Sequence, residues 1–115
     1  MPGKVYRTAI YCRLSREDGD KVESNSIASQ RAICEDYIAR HDDLEIVCEP
    51  FVDDGYSGVS FNRPNFKKLE DAIRKGAIDC IVVKDLSRFS RNYIDGGRYL
   101  EKIFPALGVR FIALI

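Results

Sequence analysis

The sequence lacks the features that mark exported, membrane-spanning or zinc-binding proteins. No stretch approaches the roughly 18 consecutive apolar residues that a membrane-spanning helix needs. The N-terminus has no apolar run followed by a small-residue cleavage site, so a signal peptide is not indicated. The four cysteines include no C-x-x-C pair that would begin a zinc or redox centre. We therefore expect a cytoplasmic protein with no bound metal and no membrane contact.

Histidine is nearly absent, and this bears on the class of enzyme. His41 is the only histidine, and it follows a predicted helix beside Asp42 and Asp43. It is far along the chain from the polar residues that follow the predicted strands. A hydrolase triad of serine, histidine and aspartate is therefore poorly supported.

The cysteines have an ordinary structural interpretation. Three of them lie in apolar, strand-like surroundings and one lies in a predicted helix. We expect all of them to be reduced and buried as small apolar side chains. They are Cys12, Cys34, Cys48 and Cys80.

A net charge of one sign is also absent, because 18 basic residues balance 18 acidic ones. A balanced total ordinarily counts against a nucleic-acid partner. The distribution is nevertheless uneven: residues 1–16 carry four bases and no acid, residues 17–54 carry three bases and twelve acids, and residues 55–115 carry eleven bases and six acids. From charge alone, a mixed solvated surface remains the simpler interpretation.

What the chain does have is the pattern of an α/β domain. Its 115 residues, 45% of them hydrophobic, suit one domain with one real core. Runs rich in β-branched and aromatic residues predict strands at 8–14, 44–52, 79–84 and 109–115. Apolar periodicity predicts helices at 26–40, 64–75 and 92–107. The alternation predicts a three-layer α/β/α fold with a mainly parallel central sheet.

Two connections and the end of the chain complete this outline. The acidic segment 16–25 and the glycine-rich segment 53–59 are predicted to be mobile loops. The last five residues, FIALI, form an apolar strand with no following helix to cover it. We expect residues 1–115 to be a single catalytic domain cut from a longer protein.

Candidate functional residues follow two predicted strands, where side chains of parallel sheets gather into sites. Arg13 and Ser15 lie two residues apart at the end of the first strand, so they point to the same side. Arg88 and Arg91 lie three residues apart where a later strand passes into a helix, so they share one helical face. Together these residues predict a pocket for a phosphate, with Ser15 as the nucleophile.

Two further residues extend this candidate site. Arg63 follows the glycine-rich loop, which allows a fourth guanidinium to close over the group that Ser15 attacks. Gln30 lies in the first turns of a predicted helix, where it either bonds a phosphate oxygen or orients an arginine. Displacement at a phosphodiester builds negative charge on the oxygens around phosphorus, and guanidiniums stabilise that charge without a metal. The general base stays unassigned.

Five motifs, in chain order, resemble those of the serine recombinases, the resolvases and invertases. The match is closest to the large transposon-borne and phage-borne members. The matching residues are Tyr11-Cys12-Arg13-Leu14-Ser15 (Y-x-R-x-S), Ser26-Ile27 with Gln30 (S-[IL]-x-x-Q), Asp53-x-Gly55-x-Ser57-Gly58 (D-x-G-x-S-G), Arg63-Pro64, and Arg88-Phe89-Ser90-Arg91 (R-[LF]-[GS]-R).

The resemblance implies a site-specific recombinase of a mobile element, in which Ser15 becomes linked to the 5' end of cleaved DNA without metal or ATP. It implies DNA as the partner, a homodimer and a synaptic tetramer in the full-length protein, and a flavodoxin-like strand order. Two departures stand out. Ser87 occupies a position where many members carry aspartate, and the loop after Ser15 is longer than in small resolvases, which favours the large subgroup.

Two alternatives remain open at this point. A receiver-like signalling module would use Asp53, Asp54 and Lys84 near strand ends to bind a metal and a phosphoryl group. A recombinase-derived fragment would serve only in assembly. If the chain is part of a recombinase, whether it is catalytic or serves only in assembly, we expect the isolated residues 1–115 neither to cleave DNA nor to bind it tightly.

Overall fold

The computed structural model describes residues 3–15 and 26–115, so the predicted loop at 16–25 lies outside the described residues. Within these two ranges no helix is long and apolar enough to cross a membrane. The elements, in chain order, are β1 (Tyr6–Leu14), α1 (Ile27–Ala39), β2 (Leu44–Ile46), β3 (Phe51–Asp54), α2 (Pro64–Arg74), β4 (Cys80–Val83), α3 (Leu86–Phe89), α4 (Tyr93–Arg98), a π-helical turn (Tyr99–Ile103), α5 (Phe104–Leu107) and β5 (Arg110–Ala113).

The five strands form one parallel sheet with β1 near its centre. The strand order is β2-β1-β4-β5, and β3 also pairs with β1 beyond β2. Every pairing is parallel. If β2 and β3 count as one interrupted strand, the order is the flavodoxin-like one as far as the described strands extend. The predicted α/β fold with a mainly parallel sheet is confirmed.

The second predicted strand, at 44–52, is wrong as a single element because the chain leaves the sheet between β2 and β3. Thr8 pairs with Ile46 and Tyr11 pairs with Phe51, so three steps along β1 match five along its partner. The extra residues bulge out before Pro50, which has no N–H to donate to a ladder. The nine-residue β1 is long enough to pair with both pieces.

Each face of the sheet carries its own apolar core. On one face Ile10 and Cys12 of β1 pack against Cys34 and Ile38 of α1. The opposite face carries a core of Ala9, Tyr11, Phe66, Leu69, Ile73, Ile78, Ile81, Val83, Phe89, Phe104 and Val109. β4 is buried along its whole length, as its unbroken apolar sequence CIVV predicts for a central strand covered on both sides. The predicted three layers therefore exist.

The last helical region departs from the prediction of one regular helix at 92–107. A π-helical turn interrupts it just before Pro105, which cannot donate a backbone hydrogen bond. The wider turn shifts the helical phase, so residues before it no longer share a face with those after it. Tyr93, near the start of this region, is 93% exposed, whereas Phe104, after the π-helical turn, is buried.

The cysteines largely follow the prediction. Cys12, Cys34 and Cys80 are buried free thiols, and burial raises the pKa of each. Cys48 is different, because it lies between β2 and β3 rather than in a strand and is only half-buried. The prediction that all four are fully buried is therefore wrong for Cys48.

Candidate active site

The predicted nucleophile lies at the carboxyl end of the central strand. Ser15 directly follows Leu14, the last residue of β1, and is 5% exposed. Arg13, two residues earlier, is fully buried. Because side chains alternate along a strand, Arg13 shares the face of β1 that also carries Ala9 and Tyr11. The site is therefore built on the rigid centre of the sheet rather than on a loop.

The guanidinium of Arg13 joins three parts of the chain at this edge of the sheet. Its Nε donates to the carbonyl of Arg88 at 3.1 Å, and its Nη2 donates to the carbonyl of Ser87 at 2.7 Å. Its Nη1 donates to the carbonyl of Tyr56 at 2.9 Å. Arg13 thus holds the turn after β4 and the loop after β3 against the end of β1.

Gln30 fixes the main chain of Arg13 from the other side. Its side-chain oxygen accepts from the Arg13 N–H at 3.2 Å, and its side-chain nitrogen donates to the Arg13 carbonyl at 3.0 Å. Gln30 is fully buried in the first turns of α1, a helix that begins after the N-cap Ser26. Of the two roles considered for Gln30, these contacts fit the orientation of an arginine.

Arg88 lies beside the backbone that leads into Ser15. Its Nη1 donates to the carbonyl of Arg13 at 3.0 Å, and the residue is 3% exposed. Arg88 belongs to the short helix α3, which begins where β4 ends. Because β1 and β4 are neighbouring parallel strands, their carboxyl ends place Arg88 next to Arg13 and Ser15.

Arg91 packs against Gly58, which also lies against Arg13. The backbone N–H of Arg91 donates to the carbonyl of Gly58 at 2.8 Å. A β-carbon on Gly58 would lie 2.8 Å from Nη2 of Arg13 and 3.0 Å from Cγ of Arg91, so both arginines pack on the glycine. Arg91 is exposed, unlike Arg13 and Arg88. Of Arg13, Arg88 and Arg91, it is Arg91 that faces solvent.

Arg63 is placed differently from the prediction, which had it close over the attacked group. It is 0% exposed, and its guanidinium donates to backbone carbonyls of Ser60 at 2.8 Å and of Phe89 at 2.7 Å. It also donates to the carbonyls of Ser57 and Gly58. A buried guanidinium needs acceptors for its N–H groups, and carbonyls of this loop and of Phe89 supply them. In this structure Arg63 is enclosed within the protein.

The same contacts correct the prediction of a mobile loop at 53–59. Its carbonyls at Tyr56, Ser57 and Gly58 accept hydrogen bonds from the two fully buried arginines, Arg13 and Arg63. The loop is therefore held by Arg13, 43 residues away along the chain from Tyr56, and by Arg63, which follows the loop closely. The glycine content signals a close approach of backbone to arginine rather than freedom to move.

Asp53, which belongs to one of the five motifs and to the receiver-like alternative, has a structural role that neither of these predicted. Its carboxylate accepts from the N–H groups of Asn65 at 3.0 Å and Phe66 at 2.9 Å, at the start of α2. It also accepts from the hydroxyl of Tyr11 at 2.8 Å. The N-cap Arg63 provides no side-chain cap, and that gap was the available signal that a distant carboxylate would supply one.

Asp53 also bears on the receiver-like alternative, in which it would bind a metal. It is fully buried, and both of its oxygens are occupied by Tyr11 and the first turn of α2. Within residues 3–15 and 26–115 no three histidine, cysteine, aspartate or glutamate side chains are grouped to hold a metal ion. The receiver-like alternative is not supported by this arrangement.

Comparison with known proteins identifies the family. The family model described as "Resolvase, N terminal domain" matches residues 8–114. The chain belongs to the resolvase N-terminal domain family. The resemblance to serine recombinases is therefore confirmed, and the resolvase-family domain occupies nearly the whole chain.

Individual relatives and solved structures resemble this chain. A protein of Bacillus subtilis (strain 168), named as a candidate DNA recombinase, is 31% identical over 87 residues; the match covers 76% of this chain but 16% of that protein. The N-terminal catalytic domain of TP901-1 integrase has a TM-score of 0.81 and 27% identity, with 94% of this chain and 76% of that chain covered. The C-terminal catalytic domain of ISC1926 TnpA, an IS607-like serine recombinase, has a TM-score of 0.75 and 23% identity, with 95% and 67% covered.

Proposed function

We propose that this resolvase-family domain is the catalytic part of a site-specific DNA recombinase of a mobile element, with Ser15 as the nucleophile. One observation carries the proposal. The carbonyl of Arg13, two residues before Ser15, accepts from the guanidinium of Arg88, and the Arg13 side chain holds the turn that carries Arg88. Ser15 thus follows directly on a segment that contacts guanidiniums from separate parts of the chain, which supports the proposal.

The proposed reaction is a transesterification at a DNA phosphodiester. The Ser15 oxygen forms a bond to phosphorus while the bond from phosphorus to the 3' oxygen breaks. The serine proton passes to a base, and the 3' oxygen takes up a proton. The product is a serine ester of the 5' phosphate, and attack by a 3' hydroxyl of another strand restores a phosphodiester and releases Ser15. Because one phosphoester replaces another, the exchange needs no ATP.

The guanidiniums supply the electrostatic part of this proposal. Negative charge grows on the phosphate oxygens as Ser15 attacks, and fixed N–H donors stabilise it without reorganisation. Arg91 is exposed and meets the phosphate first, while Arg13 and Arg88 donate to carbonyls in the described state. Exchange of a neutral carbonyl for a charged phosphate oxygen strengthens each hydrogen bond, so DNA favours the rearrangement.

The remaining steps belong to a larger protein. The match spans 16% of the length of the curated relative, which supports the proposal that DNA binding and strand exchange involve more than these residues. We propose that the full-length protein forms a homodimer and a synaptic tetramer on DNA in the cytoplasm. Residues 1–115 then form one catalytic domain that is inactive when isolated.

A covalent trap tests the assignment of Ser15. Full-length protein is incubated with a duplex carrying its recombination site. The amount of DNA whose gel mobility changes on protease treatment is then measured. The wild type gives an adduct on the 5' phosphate, whereas Ser15→Ala gives none. Ser29→Ala, in α1, is the matched control and keeps the adduct. An adduct that persists in Ser15→Ala contradicts the proposal.

A further inference from the structure

Asp85 and Ser87 form a connected pair at the start of α3. Asp85 is the N-cap of this helix, and its carboxylate accepts from the backbone N–H of Arg88 at 3.3 Å. The same Oδ1 atom accepts from the hydroxyl of Ser87. The carboxylate therefore fixes both the helix start and the direction of the Ser87 hydroxyl.

The orientation of that hydroxyl determines what it presents to Arg88. Because the Ser87 hydroxyl donates a hydrogen bond to Asp85, the lone pairs of the Ser87 oxygen are available to accept hydrogen bonds. Nη2 of Arg88 donates to this oxygen at 3.1 Å. Arg88 thus donates to Ser87, and Ser87 donates to Asp85, which accepts at the end of this chain of hydrogen bonds.

The other end of the guanidinium is held independently. Nη1 of Arg88 donates to the carbonyl of Arg13 at 3.0 Å, and Nη2 of Arg13 donates to the carbonyl of Ser87 at 2.7 Å. The plane of the Arg88 guanidinium is therefore defined at both terminal nitrogens. Loss of the Ser87 contact would leave only one of these two anchors.

The charges around Arg88 also link it to Asp85. The Arg88 side chain is 3% exposed, and its Nε lies 3.5 Å from Oδ1 of Asp85, whose side chain is 23% exposed. A buried guanidinium is costly unless an anion lies close to it. Burial opposes ionisation of Asp85, but the Ser87 hydrogen bond and the Arg88 charge outweigh burial, so the pKa of Asp85 lies below its ordinary value. Asp85 stays ionised at neutral pH.

We propose that Asp85 and Ser87 are positioning residues, which together fix the Arg88 guanidinium for the phosphate that Ser15 attacks. This inference rests on the proposed function and deepens it. A purely structural role for Asp85 as a helix cap makes a different prediction, because the cap contact to the Arg88 N–H does not involve the Ser87 hydroxyl.

Three variants of the full-length protein separate these roles. Ser87→Ala removes the bridge and leaves the cap. Asp85→Asn keeps a side chain that caps well but removes the charge. The double variant Asp85→Ser with Ser87→Asp keeps a capping hydroxyl at 85 and moves the carboxylate to the position that faces Arg88. Asp71→Asn, at an exposed position of α2, is the charge-matched control.

The measurements are the single-turnover rate of adduct formation and the dissociation constant for the same DNA. We expect Ser87→Ala and Asp85→Asn each to slow adduct formation by about tenfold to a hundredfold, the range seen for outer partners that orient a metal ligand. The dissociation constant should change less than about twofold. Combining Ser87→Ala with Asp85→Asn should add little, since both break one chain of contacts. The double swap should recover most of the lost rate.

The outcomes separate this inference from the proposed function. If the wild type forms no adduct, both fail. If the wild type forms an adduct but Ser87→Ala matches its rate, or if the double swap is no faster than Asp85→Asn, only the positioning role is wrong. A slowed rate in all single variants, with rescue by the swap and an unchanged Asp71→Asn control, supports it.

Discussion

Gly58 lies against the guanidinium of Arg13, so close that a β-carbon at this position would stand 2.8 Å from Nη2 and 3.1 Å from Cζ. That distance is shorter than ordinary van der Waals contact. In the described state, three backbone carbonyls hold the guanidinium in this position. The glycine is therefore required by packing at the candidate site.

Gly58→Ala should lower the free energy of unfolding by about 1–3 kcal/mol, the usual cost of overpacking a filled site. It should also slow adduct formation, because Arg13 and Arg91 both contact this residue. Urea-dependent labelling of the buried Cys80 thiol in the full-length protein measures the unfolding of this domain.

Gly97 provides the matched control for Gly58. It lies in α4 with nothing within 4 Å of a β-carbon, so Gly97→Ala should be neutral or stabilising by up to about 1 kcal/mol. If Gly58→Ala and Gly97→Ala give the same urea midpoint, the close packing of Gly58 on Arg13 is not important for stability.

Substitution by alanine should lower mainly the stability at Arg63 and mainly the rate of adduct formation at Arg91. Arg63 is fully buried and donates to several carbonyls, so Arg63→Ala leaves those carbonyls unsatisfied and should cost about 3 kcal/mol or more of unfolding free energy. Arg91 is exposed, so Arg91→Ala should change stability by less than about 0.5 kcal/mol. It should nevertheless slow adduct formation by roughly a hundredfold, the cost of one lost transition-state donor.

The two measurements for this pair are the urea midpoint and the single-turnover adduct rate. Equal losses of stability in the two variants would mean that burial does not distinguish their roles. An Arg91→Ala variant with the wild-type rate would remove Arg91 from the proposed reaction. Arg98→Ala, an exposed arginine of α4, serves as the surface control for both measurements.

The sequence was sufficient for the architecture because local patterns and the global fold agree. The run CIVV at β4 and the proline-started α2 were both predicted within a residue or two of their observed bounds. The interruption between β2 and β3 was missed because it depends on the length of β1, which pairs with both pieces. Pro50 was the available local signal of an interruption, but no local pattern within residues 44–52 reports the length of a distant partner strand.

The positions of some candidate residues were predictable from the sequence, whereas their contacts were not. Spacing and strand ends brought Arg13, Ser15 and Arg88 to one edge of the sheet, where the structure has them. The burial of Arg63 was not predictable, because it depends on carbonyls of Gly58 and Phe89 that reach it only after folding. An arginine in sequence gives no sign of whether its acceptors are phosphate or backbone.

The burial of each cysteine predicts how fast its thiol reacts with an alkylating reagent. The thiolate is the reactive form, and burial raises the pKa of Cys12 and Cys34 to about 12 and that of Cys80 to about 11. Raising a thiol pKa lowers its thiolate fraction at a given pH, so at pH 8 these three are protonated in all but about one molecule in a thousand or fewer. Cys48 is only half-buried.

Iodoacetamide at pH 8 should therefore modify Cys48 first in the folded protein, at least tenfold faster than Cys12 or Cys80. Peptide mass spectrometry over a time course measures each site separately. In concentrated guanidinium chloride the sites should react at similar rates, because burial no longer distinguishes their thiols. Native labelling of Cys12 as fast as Cys48 would contradict the placement of β1 at the centre of the sheet, since a thiol there lies beneath α1 with no solvent contact.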